Sequence, residues 1–159
     1  MKLRIVTLLI AGTLVAATSG TAHATNVAAA TGHDINYANE SCMRNDWNST
    51  GAGAVKNLCS GPELWIIELP VNSSGAKTVT VRGSRNMIAA TQCFSSGLDQ
   101  DGQRGSNGWS GWQSFGTSGL SGDTITLTLK GATVPANGRL QVQCNVAVNL
   151  SLFTIHYDM

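Results

Sequence analysis

Strict alternation of apolar and polar side chains runs through the second half of the chain. Over residues 139–148, Leu140, Val142, Cys144, Val146 and Val148 fall on one face, opposite Arg139, Gln141, Gln143 and Asn145. That is the period of a half-buried strand. Residues 123–130 repeat it, with Ile125, Leu127 and Leu129 against Thr124, Thr126 and Thr128; residues 77–82 do the same with Val79 and Val81. Residues 64–69 form a dense apolar strand stopped by Pro70, and residues 86–94 carry Met87, Ala89, Thr91 and Cys93 on one side. Shorter strands are expected over 112–115 and 151–157, and an edge strand over 34–38. Residues 72–75 and 132–138 have turn composition, 95–111 read as a long polar Gly-rich loop, and 25–61 as irregular. Six or seven short strands without a helical period predict an all-β fold. An antiparallel β-sandwich, immunoglobulin-like or jelly-roll-like, fits strands with one apolar and one polar face.

The first 24 residues follow a different pattern. Lys2 and Arg4 precede an uncharged, largely apolar run over 5–17, and Ala22-His23-Ala24 is a small-x-small cleavage site. This is the anatomy of a secretory signal peptide, and the run is shorter than the roughly 20 apolar residues that span a bilayer. Residues 25–159 are therefore expected to form a single secreted domain, extracellular or periplasmic. No cysteine follows the cleavage site, so no lipid anchor is expected, nor any other membrane anchor. Losing Lys2 and Arg4 turns the formal charge from +1 to −1. A lightly charged chain has no basic stripe of the kind that neutralises phosphates, which argues against nucleic acid as a partner.

Cys42, Cys59, Cys93 and Cys144 all lie beyond the leader, and an even set in an exported chain reads as two disulfides. Of three pairings, position favours Cys42–Cys59 and Cys93–Cys144. The first would close a loop in the irregular segment; the second would join two core-facing strand positions. The spacings include no close Cys-x-x-Cys pair, which argues against zinc. The segments Ser41-Cys42, Cys59-Ser60-Gly61-Pro62, Thr91-Gln92-Cys93-Phe94 and Leu140-Gln141-Val142-Gln143-Cys144 resemble those of small exported bacterial disulfide-bonded β proteins of unknown function. The resemblance covers most of residues 25–159 and implies no catalytic or binding residues. The chain departs from that pattern where Ser60 and Gly61 separate Cys59 from Pro62.

Candidate chemistry concentrates at residues 105–113. Trp109 and Trp112 sit at the edge of a Gly-rich polar stretch, where exposed indoles can stack on the C–H faces of sugars while Asn107 and Gln113 bond hydroxyls. The competing reading is that one indole packs inward and the other caps the core edge. Asp99 and Asp101 open like a calcium loop but lack its later ligands, so a solvated acidic turn competes with a metal site there. No cofactor is implied. Beyond the leader the histidines are His33 and His156, near opposite ends; no Gly-x-Ser-x-Gly elbow occurs, and Glu63 and Glu68 fall on opposite faces of one strand. The leading expectation is a non-catalytic module binding polysaccharide or cell-surface glycan. A structural or interaction protein meeting another extracellular protein through a sheet edge or the Cys42–Cys59 loop comes second, and a small hydrolase third.

Overall fold

In the computed structural model, the residues described are 24–34, 41–45, 53–84, 89–116 and 123–159, without the side chains of Ala24, Ser106 and Asn107. Twelve strands run along these segments. They are β1 (Ala24–Ala28), β2 (His33–Asp34), β3 (Met43–Asn45), β4 (Val55–Asn57), β5 (Glu63–Leu69), β6 (Gly75–Ser84), β7 (Gln92–Leu98), β8 (Arg104–Trp109), β9 (Gln113–Ser114), β10 (Thr124–Val134), β11 (Arg139–Val146) and β12 (Ser151–Asp158). A single turn of 3₁₀ helix, Ala29–Thr31, is the described helix. No helix among the described residues is long and apolar enough to cross a membrane.

The strands form two antiparallel sheets. The first has the order β10-β6-β12-β4-β3, with β1 also paired to β12; the second has the order β2-β5-β11-β7-β8, with β9 also paired to β7. Register explains the core. Val142 stands opposite Ile67 on one side and Ser95 on the other, and Cys144 opposite Trp65 and Cys93, so these side chains share the inner face of the second sheet. Val79, Val81, Leu129, Ile155 and Tyr157 meet them from the first sheet, each fully buried. Burying each Val, Leu or Ile side chain contributes roughly 1.5–3 kcal/mol. The protein is thus the expected β-sandwich, with most of the apolar positions of the alternating strands as its interior and Ile125 and Leu127 of β10 only partly buried against it.

Two buried polar side chains tie segments of the structure together. The buried Asn57 side chain donates to the carbonyls of Gly61 (2.9 Å) and Val146 (2.7 Å) and accepts the Cys59 N–H at 2.8 Å. It ties β4 of one sheet to the end of β11 in the other. Trp65 Nε1 donates to Ala29 O at 2.8 Å. Both favoured disulfides are present. Cys42–Cys59 closes the β3–β4 hairpin, and Cys93–Cys144 bridges directly opposed residues of β7 and β11 within one sheet.

Several local expectations are corrected. The predicted loop over 95–111 contains the rest of β7, all of β8 and only a tight turn between them. The strand expected from residue 86 begins at Gln92, with 85–88 outside the described residues. Small residues hid this hairpin: Ser95, Ser96 and Gly97 lack the β-branched side chains that mark strands, and at Gly97 the backbone of Thr133 and Val134 leaves no room for one. The expected turn from 132 begins three residues later, because β10 passes a bulge between Lys130 and Ala132 and continues to Val134. At the other end, β11 stops at Val146, and Val148 lies in the turn where Asn149 adopts φ 62°. The segment read as irregular contributes β1 to β4, whose short lengths give little periodic signal. Of the edge strand expected at 34–38, Asp34 is in β2 and the rest lies outside the described residues, as do 1–23 of the expected leader.

Candidate functional site

The outer face of the second sheet departs from the polar exterior that alternation predicts. Phe94 points outward from β7 opposite Gln143, yet is only 7% exposed, because two indoles cover it. Trp109 packs edge-to-face on it with ring centroids 5.7 Å apart, and Trp112 likewise at 4.5 Å. Each such pair contributes about 0.5–1.5 kcal/mol beyond its buried area. The indoles themselves remain 41% and 45% exposed. Neither indole packs inward or caps the core edge as the competing reading expected: both pack on an outer-face phenylalanine and still present surface to solvent.

The local sequence builds this cluster. Trp109 lies opposite Ser96 at the end of β8, which places it on the outer face. The chain then stays pinned to β7: Ser110 N–H donates to Ser95 O, and Ser95 N–H to Ser110 Oγ, both at 2.9 Å. Gly111, at φ 72°, turns the chain in a backbone region that suits glycine, and Phe115 N–H re-anchors it to Thr91 O at 3.0 Å. Two indoles three residues apart are thereby brought to one ring.

Beside the cluster runs an open groove of about 490 Å³, within the size range of small-molecule sites. Phe94, Ser96 and Leu98 of β7, Gln141, Gln143 and Arg139 of β11, and Arg104 of β8 line it. Gln143 Nε2 donates to Gln141 Oε1, which aligns the two amides along β11. The Arg104 guanidinium carbon lies 4.9 Å from the centre of the Trp109 ring and covers one of its faces. Arg139 Nη1 sits 3.6 Å from Glu68 Oε1, both side chains about half exposed.

The other expected site residues are placed as follows. Gln113 pairs in register with Cys93, so it projects on the opposite side of the sheet from Phe94 and does not line the groove. Asn107 is on β8, its side chain outside the described part. Asp99 uses Oδ1 to accept the N–H groups of Asp101 (2.9 Å) and Gln103 (2.7 Å), which shapes the β7–β8 turn. Among the described residues no group of three or more His, Cys, Asp or Glu is placed to hold a metal ion. His156 lies on the other sheet, with Nδ1 2.9 Å from Asn26 Oδ1. Sequence reasoning missed Phe94, Arg104, Arg139, Gln141 and Gln143 as site residues. The polar positions of β11 were legible as an outward face, but nothing in the pattern said which outward face faces a groove.

No protein-family model matches the sequence, and no curated protein matches it. Solved structures do. The C-terminal CBM6 of LamC, a marine laminarinase from Zobellia galactanivorans, superposes with a TM-score of 0.57 at 17% identity, covering 86% of this chain and all of that one. The carbohydrate-binding module CBM6cm-2 from Cellvibrio mixtus lichenase 5A superposes with a TM-score of 0.51 at 14% identity, over 85% and 96% of the two chains. What these chains share with this one is the fold, a two-sheet antiparallel β-sandwich. Isomalto-dextranase from Arthrobacter globiformis T6 also matches, with a TM-score of 0.58 at 15% identity over 86% of this chain. There the match spans 23% of a much longer enzyme.

Proposed function

We propose that the protein is a non-catalytic extracellular module that binds a polysaccharide or cell-surface glycan across the outer face of its second sheet. The observation that carries this reading is the pair of half-exposed indoles held over Phe94 at the rim of an amide-lined groove. Sugar rings offer apolar C–H faces to such indoles and hydroxyls to glutamine amides, which donate and accept equally well. The likeness to carbohydrate-binding modules supports the reading at the level of the fold, and the disulfides suit an oxidising exterior. Glycoside hydrolysis ordinarily uses two carboxylates across the scissile bond; none of the residues lining the groove is a carboxylate.

The test is retention of the purified protein on insoluble polysaccharides and bacterial cell walls, alongside Trp109→Ala, Trp112→Ala and the double variant. Wild type is expected to be retained. Each single variant should bind about tenfold more weakly, a loss of about 1.4 kcal/mol, with Trp112→Ala the more damaging because Arg104 already occupies one face of Trp109. Thermal unfolding checks that the variants stay folded. Absence of retention on every matrix refutes the glycan reading and directs attention to protein partners.

A further inference from the structure

A groove for neutral sugar needs amides and rings; this one also carries two guanidinium groups on one side. Arg104 pairs in register with Leu98, and Leu98 with Arg139, so the three residues form one rank across β8, β7 and β11 on the outer face. Two strand spacings, about 10 Å, separate the arginine backbones. Both side chains line the groove. Arg104 is held by stacking on Trp109, which leaves the in-plane N–H edges of its guanidinium available. The partner of Arg139 is a carboxylate, at the open separation of 3.6 Å and half exposed, so Glu68 already occupies the position of an exchangeable anion.

We infer that the groove takes an acidic polysaccharide, one whose sugar rings carry carboxylates, with Arg104 and Arg139 reading the carboxylates while Trp112 and the glutamines hold the rings. This rests on the glycan reading above and narrows its ligand class. Guanidinium matches carboxylate geometry bidentately, which ammonium does not. A ligand carboxylate displaces Glu68 from Arg139, so Glu68 is a competitor and its removal strengthens binding. Asp99 and Asp101 lie on the turn leading to Arg104, but Asp99 shapes that turn, which leaves Glu68 as the informative acidic position.

The experiment measures retention on polygalacturonate and on alginate, each native and carboxyl-reduced, with dextran sulfate as the sulfate-ester arm, at low and moderate salt. Native uronate is expected to bind about tenfold more tightly than its reduced form, and several-fold more weakly as salt rises. Arg104→Gln and Arg139→Gln should each lose about three- to fivefold on native uronate, the range of an exposed ion pair. Glu68→Gln should gain about two- to threefold on native uronate and nothing on the reduced chain. Equal binding of native and reduced chains, or arginine variants that bind native uronate as wild type does, overturns the inference and leaves the glycan reading standing. Retention on dextran sulfate but on neither uronate overturns the assignment to carboxylates. Retention on nothing, neutral matrices included, overturns both readings together.

Discussion

Gly97 shows how much a single position can decide. Its neighbours on the other sheet are backbone atoms of Thr133 and Val134, and a Cβ there would stand 2.8 Å from Val134 Cα and closer still to Thr133 O. Backbone cannot swing aside as a side chain would, so Gly97→Ala is expected to destabilise the protein by about 1–3 kcal/mol through overpacking, read as a lower urea midpoint. Tyr157 makes a different prediction. Its ring is buried and its hydroxyl donates to Pro70 O at 2.7 Å, and burial raises its pKa above the usual value of 10.0. The folded state therefore favours the neutral phenol. Its contribution is intact below the unfolded pKa and is lost as pH climbs from about 10 through the raised folded value. Stability measured between pH 8 and 11 should fall more steeply for wild type than for Tyr157→Phe, which lacks the ionisable group. Equal slopes would show that Tyr157 does not contribute to alkaline unfolding.

At the scale of elements, the sequence was legible where alternation could express itself. The faces of β10 and β11 follow from Leu129, Val142 and Val146 against Thr128, Gln141 and Gln143: the first three are buried, Thr128 is exposed, and the two glutamines are partly exposed. The β7–β8 hairpin was not legible, because close packing against Thr133 and Val134 demands Gly97, and Ser95 and Ser96 stand beside it, where a strand signal would need valine or isoleucine. The candidate site suffered from the same cause. Trp109 and Trp112 stood out by residue type, but Phe94 was read as part of a core strand. Alternation from Cys93 already turned Phe94 outward, but nothing in the pattern said that two indoles would cover it there. Arg104 and Arg139 are far apart in sequence and become neighbours through Leu98, a relation that register creates and composition cannot reveal.

At the scale of the molecule, the two disulfides sit in different sheets, and only Cys93–Cys144 joins strands that line the groove. Cys42–Cys59 closes a loop of 17 residues at the β3–β4 edge of the first sheet, away from the groove. Cys93–Cys144 closes a loop of 51 residues and joins β7 to β11 at the rank next to Phe94 and Gln143. On the chain-entropy model the first contributes about 3 kcal/mol and the second about 4 kcal/mol. The double variants Cys42→Ala/Cys59→Ala and Cys93→Ala/Cys144→Ala should therefore lower stability by similar amounts, read by denaturant titration. Their effects on glycan retention should differ. At a temperature where both remain folded, the first should bind within about twofold of wild type, because coupling between distant sites with no shared partners is small. The second should bind several-fold more weakly, since it frees the two strands that carry Phe94, Ser96, Gln141 and Gln143 from the bridge that fixes their spacing. If both variants lost binding equally while folded, the ligand would have to reach the first sheet as well. If neither did, the β7–β11 hydrogen bonds alone would suffice to hold the groove.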